Sequence, residues 1–329
     1  MKIIFIPDYR KGNSYQTSLS NSLSKQGVSV CFGNSSGFFA VLRSVKRYWK
    51  PDILHVHWPH PFMVGNNRLM TIIKSIDFIC ELFLLKLSGI KIIWTVHNIV
   101  DHEGKFKCLE LSFNKFLVAL CDRLIVHCPS AKSEVIKVYP KSASSIAVIS
   151  HGNYIGWYKN VITPTEARDE LKLGAEDIVF LYFGFIRPYK GIPELISAFK
   201  NLNNPQVKLL IAGKPYNDEI ALHILDRCKD NENIKNILKF IPDEDIQLYM
   251  NAADVVVFPF KDILTSGSVI LAMSFGKPVI APQAGCISDI LNEKGSFLYL
   301  KTETGLLEAM QHALNAGKKN LLDMGRYNF

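Results

Sequence analysis

The 329-residue chain contains no C-x-x-C pair, and its seven cysteines (Cys31, Cys80, Cys108, Cys121, Cys128, Cys228 and Cys286) form an odd set. That spacing argues against a zinc site or a disulfide framework and for free thiols in a reducing compartment. A long uncharged hydrophobic run is also missing. The most apolar region, 69–87, is interrupted by Lys74, Asp77, Glu81 and Lys86, so a membrane-spanning helix is not expected. Met1-Lys-Ile-Ile-Phe-Ile6 reads as a strand and not as a signal peptide, which predicts a cytoplasmic protein and disfavours an exported two-lobed binding protein. The first turn sets Gly12, Asn13 and Ser14 before a helix but is not a G-x-G-x-x-G fingerprint, so a firmly held dinucleotide is disfavoured.

What is present is apolar material in quantity. Hydrophobic residues make up 48% and charged residues 21%, enough to bury two cores, and the length favours two domains. Net charge is +8, which suits nucleic acid, an anionic membrane surface or a phosphorylated substrate. No nucleic-acid module pattern accompanies it.

Short apolar runs alternate with helical periodicity along the chain. Strands are predicted at 2–6, 29–32, 53–57, 91–96, 124–127 and 146–149, and again at 178–183, 207–212, 237–240, 255–259, 278–281 and 296–300. Such runs between helices imply parallel sheets covered on both faces, the doubly wound α/β arrangement. The pattern breaks at 150–164, after which Thr163-Pro-Thr-Glu166 has the form of a capping box. Two Rossmann-like domains, 1–151 and 152–329, are therefore expected, facing each other across a cleft that holds the ligand.

Thr265, Ser266, Gly267 and Ser268 stand where a buried strand gives way to a helix. Unpaired amides, hydroxyls and the positive helix end there suit an anionic phosphate, although a plain serine N-cap explains the same residues. Gly184, Arg187 and Lys190 follow another strand end. Two fixed cations at that place can neutralise a departing diphosphate, or they can be solvated surface charges.

Gly184, Lys190-Gly191, the strand 207–213, Ile241-Pro-Asp-Glu-Asp-Ile246 with Ala253-Asp254, and Gly276-Lys-Pro-Val-Ile280 occur in the order found in nucleotide-sugar glycosyltransferases of the GT-B architecture. The chain resembles the large family four and related bacterial mannosyltransferases over almost its whole length, most strongly at 180–290. The resemblance implies that Arg187 and Lys190 hold the donor diphosphate, that Phe240 and Ile241 border the nucleobase, and that 265–268 cap the phosphates or donor sugar. It places Gly12, Asn13 and Ser14 near donor or acceptor sugar, an ordinary N-cap being the equal alternative. It implies no cofactor and no metal.

The chain departs from that family in two respects. Retaining members carry two glutamates eight residues apart around this turn, and here those positions are Ile263 and Leu271. Arg187 also stands two places later than the family's arginine. The sequence Asp-Ile-Leu-Thr-Ser-Gly-Ser is similar to inverting β-mannosyltransferases of bacterial polysaccharide assembly, which implies GDP-mannose as donor and a lipid-linked glycan as acceptor. Inversion needs a base, expected in the first domain. The candidates are His57, His97, Asp101 and Glu103, with His55 read as a packing residue. A retaining transferase and a sugar-nucleotide epimerase of the same fold remain open. The basic, aromatic stretch 41–50 is expected on an anionic leaflet at the inner face of the plasma membrane, and the helix 68–87 is expected to face the core.

Overall fold

The computed structural model describes residues 1–101, 104 and 106–329, with Lys141 described by its backbone alone. Glu103, one of the candidate bases, lies outside the described residues. The chain divides into two compact units, Met1–Gly152 and Asn153–Phe329.

The N-terminal unit runs β1 (Lys2–Ile6), α1 (Ser14–Lys25), β2 (Ser29–Phe32), α2 (Ala40–Tyr48), β3 (Ile53–Val56), α3 (His60–Met63), α4 (Arg68–Leu87), β4 (Lys91–Thr95), α5 (Lys107–Leu120), β5 (Arg123–Val126), α6 (Pro129–Val138) and β6 (Ile146–Val148). Its strands pair in parallel in the order β2-β1-β3-β4-β5-β6. Ile4, Phe5, Leu54, Ile92 and Leu124 are fully buried, as strands covered on both faces require.

The C-terminal unit runs α7 (Pro164–Glu170), β7 (Ile178–Phe183), α8 (Ile192–Leu202), β8 (Val207–Ala212), α9 (Asp218–Cys228), β9 (Ile234–Ile237), α10 (Ile246–Ala252), β10 (Val255–Val257), α11 (Gly267–Ser274), β11 (Val279–Pro282), α12 (Ile287–Ile290), β12 (Ser296–Tyr299) and α13 (Gly305–Asn328). Its parallel sheet is ordered β12-β11-β10-β7-β8-β9. The capping box at the head of α7 forms: Thr163 Oγ1 accepts from the Glu166 N–H, and the Glu166 carboxylate accepts from the Thr163 N–H.

Two expectations need correction. The ninth strand was expected at 237–240 and lies at Ile234–Ile237, because Ile234 enters the core beside Leu209 while Phe240 turns outward. Helix α4, expected to face the core, is apolar on its outer face as well. Leu69, Ile73, Ile76, Phe83, Leu84 and Leu87 are exposed, whereas Thr71, Ser75 and Glu81 point inward. Cys31, Cys80, Cys108, Cys121 and Cys228 are free thiols.

Candidate functional site

In the C-terminal unit the carboxyl ends of β7 and β10 approach each other at backbone distance. A Cβ added to Gly184 (φ +128°) would lie 3.1 Å from Ser268 Oγ, and one added to Gly191 (φ +74°) would lie 2.0 Å from the Pro259 carbonyl oxygen. Only glycine allows so close an approach with that backbone. The Lys261 N–H donates to the Tyr189 carbonyl at 2.9 Å, tying the loop 187–190 to the segment after β10.

Lys190 Nζ therefore sits 4.3 Å from the Phe260 ring centre, and Arg187 Cζ sits 4.4 Å over the Tyr216 ring. Burial, with the Arg187 charge adding to it, lowers the Lys190 ammonium to about 8. A cation held off its ordinary value by desolvation and a like charge is poised to gain from an anion.

The structure places 265–268 at the head of α11 beside Gly184. Ser266 is its N-cap, its hydroxyl accepting from the Val269 N–H, so that hydroxyl serves the helix. Phe240 is 48% exposed and free to stack, whereas Ile241 beside it is buried. Ile263 and Leu271, at the positions where the resemblance expects carboxylates, are buried and apolar.

The N-terminal unit gathers rings at the carboxyl edge of its sheet. Tyr15, in the first turn of α1, has ring centres of His57, His97, His127 and His151 within 5.7, 5.0, 5.6 and 4.9 Å. His57 Nδ1 lies 3.4 Å from His97 Nε2, and Trp58 stacks on His97 at 4.4 Å. His55 is the packing residue expected, buried and bonded to Thr95 Oγ1 at 2.7 Å. Burial lowers every one of these histidines, His55 to about 3 and His151 to about 4, and holds the cluster neutral.

His57 is only 1% exposed, deeper than a strand-end residue was expected to be, and its Nε2 has no partner. The His127 Nδ1–H donates to the Ile149 carbonyl at 2.9 Å, which leaves Nε2 as the bare lone pair, buried and also without a partner. Gly12 (φ +84°) and Asn13 build the N-cap of α1, Asn13 Oδ1 accepting from the Tyr15 N–H, and Ser14 is the first helical residue. That cap fixes Tyr15 among the histidines. The Asp101 N–H donates to both oxygens of Glu110, a carboxyl raised to about 7 by burial. The Asp101 charge reaches His60, opposing the burial that lowers it.

Tyr15, Trp58, Glu110, His127 and His151 were not singled out from the sequence. One signal was there to read: a histidine follows each of four strands, at 57, 97, 127 and 151.

Two doubly wound parallel sheets, one ending in a desolvated lysine beside an arginine and the other in a neutral ring of histidines and aromatics, are the frame of a GT-B sugar-transferring enzyme. Residues 164–328 match the family described as glycosyl transferases group 1, and residues 29–153 match glycosyltransferase family 4. The chain belongs to the glycosyl transferases group 1 family and is a glycosyltransferase.

It is 26% identical over 272 residues to the GDP-mannose:glycolipid 4-beta-D-mannosyltransferase of Xanthomonas campestris pv. campestris, covering 82% of this chain and 73% of that relative. It is 24% identical over 266 residues to D-rhamnosyltransferase WbpZ of Pseudomonas aeruginosa, covering 78% and 60%. In fold it is similar to sucrose-phosphate synthase of Thermosynechococcus elongatus (TM-score 0.80, 16% identity, covering 99% and 92%). It is also similar in fold to Anabaena HepE in complex with UDP and glucose (TM-score 0.76, 18% identity, covering 100% and 93%).

Proposed function

We propose that this enzyme transfers mannose from GDP-mannose to a hydroxyl of a lipid-linked glycan, with inversion at the anomeric carbon. The observation that carries the donor half is the desolvated Lys190 beside Arg187, at a strand end packed against the head of α11. The acceptor oxygen attacks C1, the bond from C1 to the phosphate oxygen breaks, and GDP leaves with the electron pair. Its growing charge meets the ammonium of Lys190, the guanidinium of Arg187 and the amides of 265–268. Phe240 offers a ring face to the base.

Apolar side chains at 263 and 271 favour inversion, because they leave no carboxylate there to attend the donor sugar. The acceptor proton then passes to a base of the N-terminal unit, for which we propose Asp101, with His57 and His97 orienting the acceptor beside Trp58. Two cations at the diphosphate supply the charge a divalent ion would bring, so we expect neither metal nor cofactor. Partners follow from the surface: the apolar outer face of α4, the cations Arg43, Lys46 and Arg47 of α2, and Trp49 suit an anionic leaflet. Among the described residues no helix is long and apolar enough to cross a membrane.

Titration with GDP-mannose, UDP-glucose and ADP-glucose tests the donor; tightest binding of a sugar nucleotide other than GDP-mannose rejects the sugar assignment. NMR of the product's anomeric coupling tests the stereochemistry, an α-linkage overturning inversion.

A further inference from the structure

Beside the carboxyl ends of β1 and β2 the N-terminal unit has a cavity of about 570 Å³, lined along α2 by Arg43, Ser44 and Arg47 and opposite by Asp8, Arg10 and Phe32. Three guanidinium groups reach it against one carboxylate. Asp8 is already engaged, accepting from Arg10 Nε and Nη2 at 2.9 Å each, and Arg10 Cζ lies 3.9 Å over the Phe32 ring. Arg43 donates to the Ser36 carbonyl, and Arg47 Cζ lies 5.5 Å from the Tyr48 ring centre. Among the described residues no carboxylate forms an ion pair with Arg43 or Arg47.

Arg43 and Arg47 are one helical turn apart, a like-charged spacing that destabilises the helix carrying it. Planar donors held in place by rings and carbonyls, two of them without a carboxylate ion-pair partner, match the geometry of phosphate oxygens. The cavity's position adds to this. Helix α2 is tied to α4 by two bonds, the Phe39 N–H to Asp77 and the Leu42 N–H to Glu81. A lipid lying along the apolar outer face of α4 would present its polar end near α2.

We propose that this cavity binds the phosphate or diphosphate ester of an anionic acceptor. The proposal rests on the reading of the acceptor as a charged glycan carrier. It assigns Arg10, Arg43 and Arg47 to holding that ester while the sugar end reaches the ring cluster.

The test is calorimetric titration of inorganic pyrophosphate into the full chain held saturated with GDP, which occupies the donor site. One pyrophosphate site is expected to remain, weakened about tenfold or more in Arg43→Gln/Arg47→Gln. Lys25→Gln/Lys115→Gln, exposed and outside the cavity, is expected to bind as the parent does. No remaining site, or equal affinity in the arginine variant, overturns the proposal. GDP affinity, measured in the same variants, reports the donor reading separately: if GDP fails to bind, pyrophosphate is titrated directly and the arginine comparison still decides. Capture on phosphatidylcholine vesicles containing phosphatidic acid, reversed by pyrophosphate, assigns the cavity to a lipid-borne phosphate. Pyrophosphate binding without such capture assigns it to a soluble phosphate ester.

Discussion

Donor binding should weaken as pH rises through 8. Burial, and the Arg187 charge after it, disfavour the Lys190 ammonium and lower it from its ordinary 10.5 to about 8. A diphosphate against Nζ stabilises that ammonium and raises its pKa, so the bound state holds a proton that the free state loses above 8. With one linked proton, the apparent Kd grows by about tenfold between pH 7 and pH 9. The diphosphate of the donor is a diester, fully ionised throughout that window.

Lys190→Met keeps the stem against Phe260 and removes the charge. The loss of a charge-assisted bond should cost roughly 10- to 150-fold in affinity at pH 7 and abolish the pH slope. Lys190→Arg should remove the slope while retaining charge. The stability sign runs the other way. A lysine depressed in the folded state binds fewer protons there than when unfolded between about 8 and 10.5, so stability rises with pH in that window. Below it the ammonium is a burden that Lys190→Met relieves, and the variant should melt no lower than the parent at pH 7. Calorimetry with GDP-mannose at pH 7, 8 and 9 reads the effect. A parent Kd that does not change with pH, or a Lys190→Met that binds normally, refutes the reasoning.

Further outcomes follow from the same structure. Gly191→Ala would drive a Cβ to 2.0 Å from the Pro259 carbonyl at positive φ, and should destabilise by about 1–3 kcal/mol in chemical denaturation. Glu81 is buried and raised to about 7, so the folded protein binds its proton more tightly than the unfolded one, and stability from this group falls as pH rises from 4.5 to 7. Glu81→Gln should therefore raise the melting temperature relative to the parent at pH 8 and not at pH 4; equal differences at both pH values would dismiss this. Asp101→Asn should lower kcat by about 10²- to 10⁴-fold with an unaltered Kd for GDP-mannose, and a normal kcat would move the base elsewhere.

The strands were readable because parallel sheets buried on both faces demand unbroken apolar runs, such as Ile3–Phe5 and Val255–Val257. The outer face of α4 was not. In a helix rich in apolar residues, Thr71, Ser75 and Glu81 look like the solvent side. The structure turns them inward, where Ser75 donates to the Met63 carbonyl, Thr71 accepts from the Gly65 N–H and Glu81 accepts from the Leu42 N–H. Those bonds hold the loop before α4 and the head of α2, and they leave the apolar side outward. The position of β9 was misread because Phe240 is as apolar as the strand residues before it. In the histidine cluster, His57 and His97 were readable as strand-end residues one by one. His127 and His151 joined them only through strand order, which brings residues tens of positions apart to one sheet edge.

The most direct measurement is a crystal structure with GDP bound. Diphosphate oxygens are expected within hydrogen-bond distance of Lys190 Nζ and of the backbone N–H groups at 266–268, with the guanine near Phe240. A diphosphate seated away from Lys190 and the head of α11 would contradict that expectation.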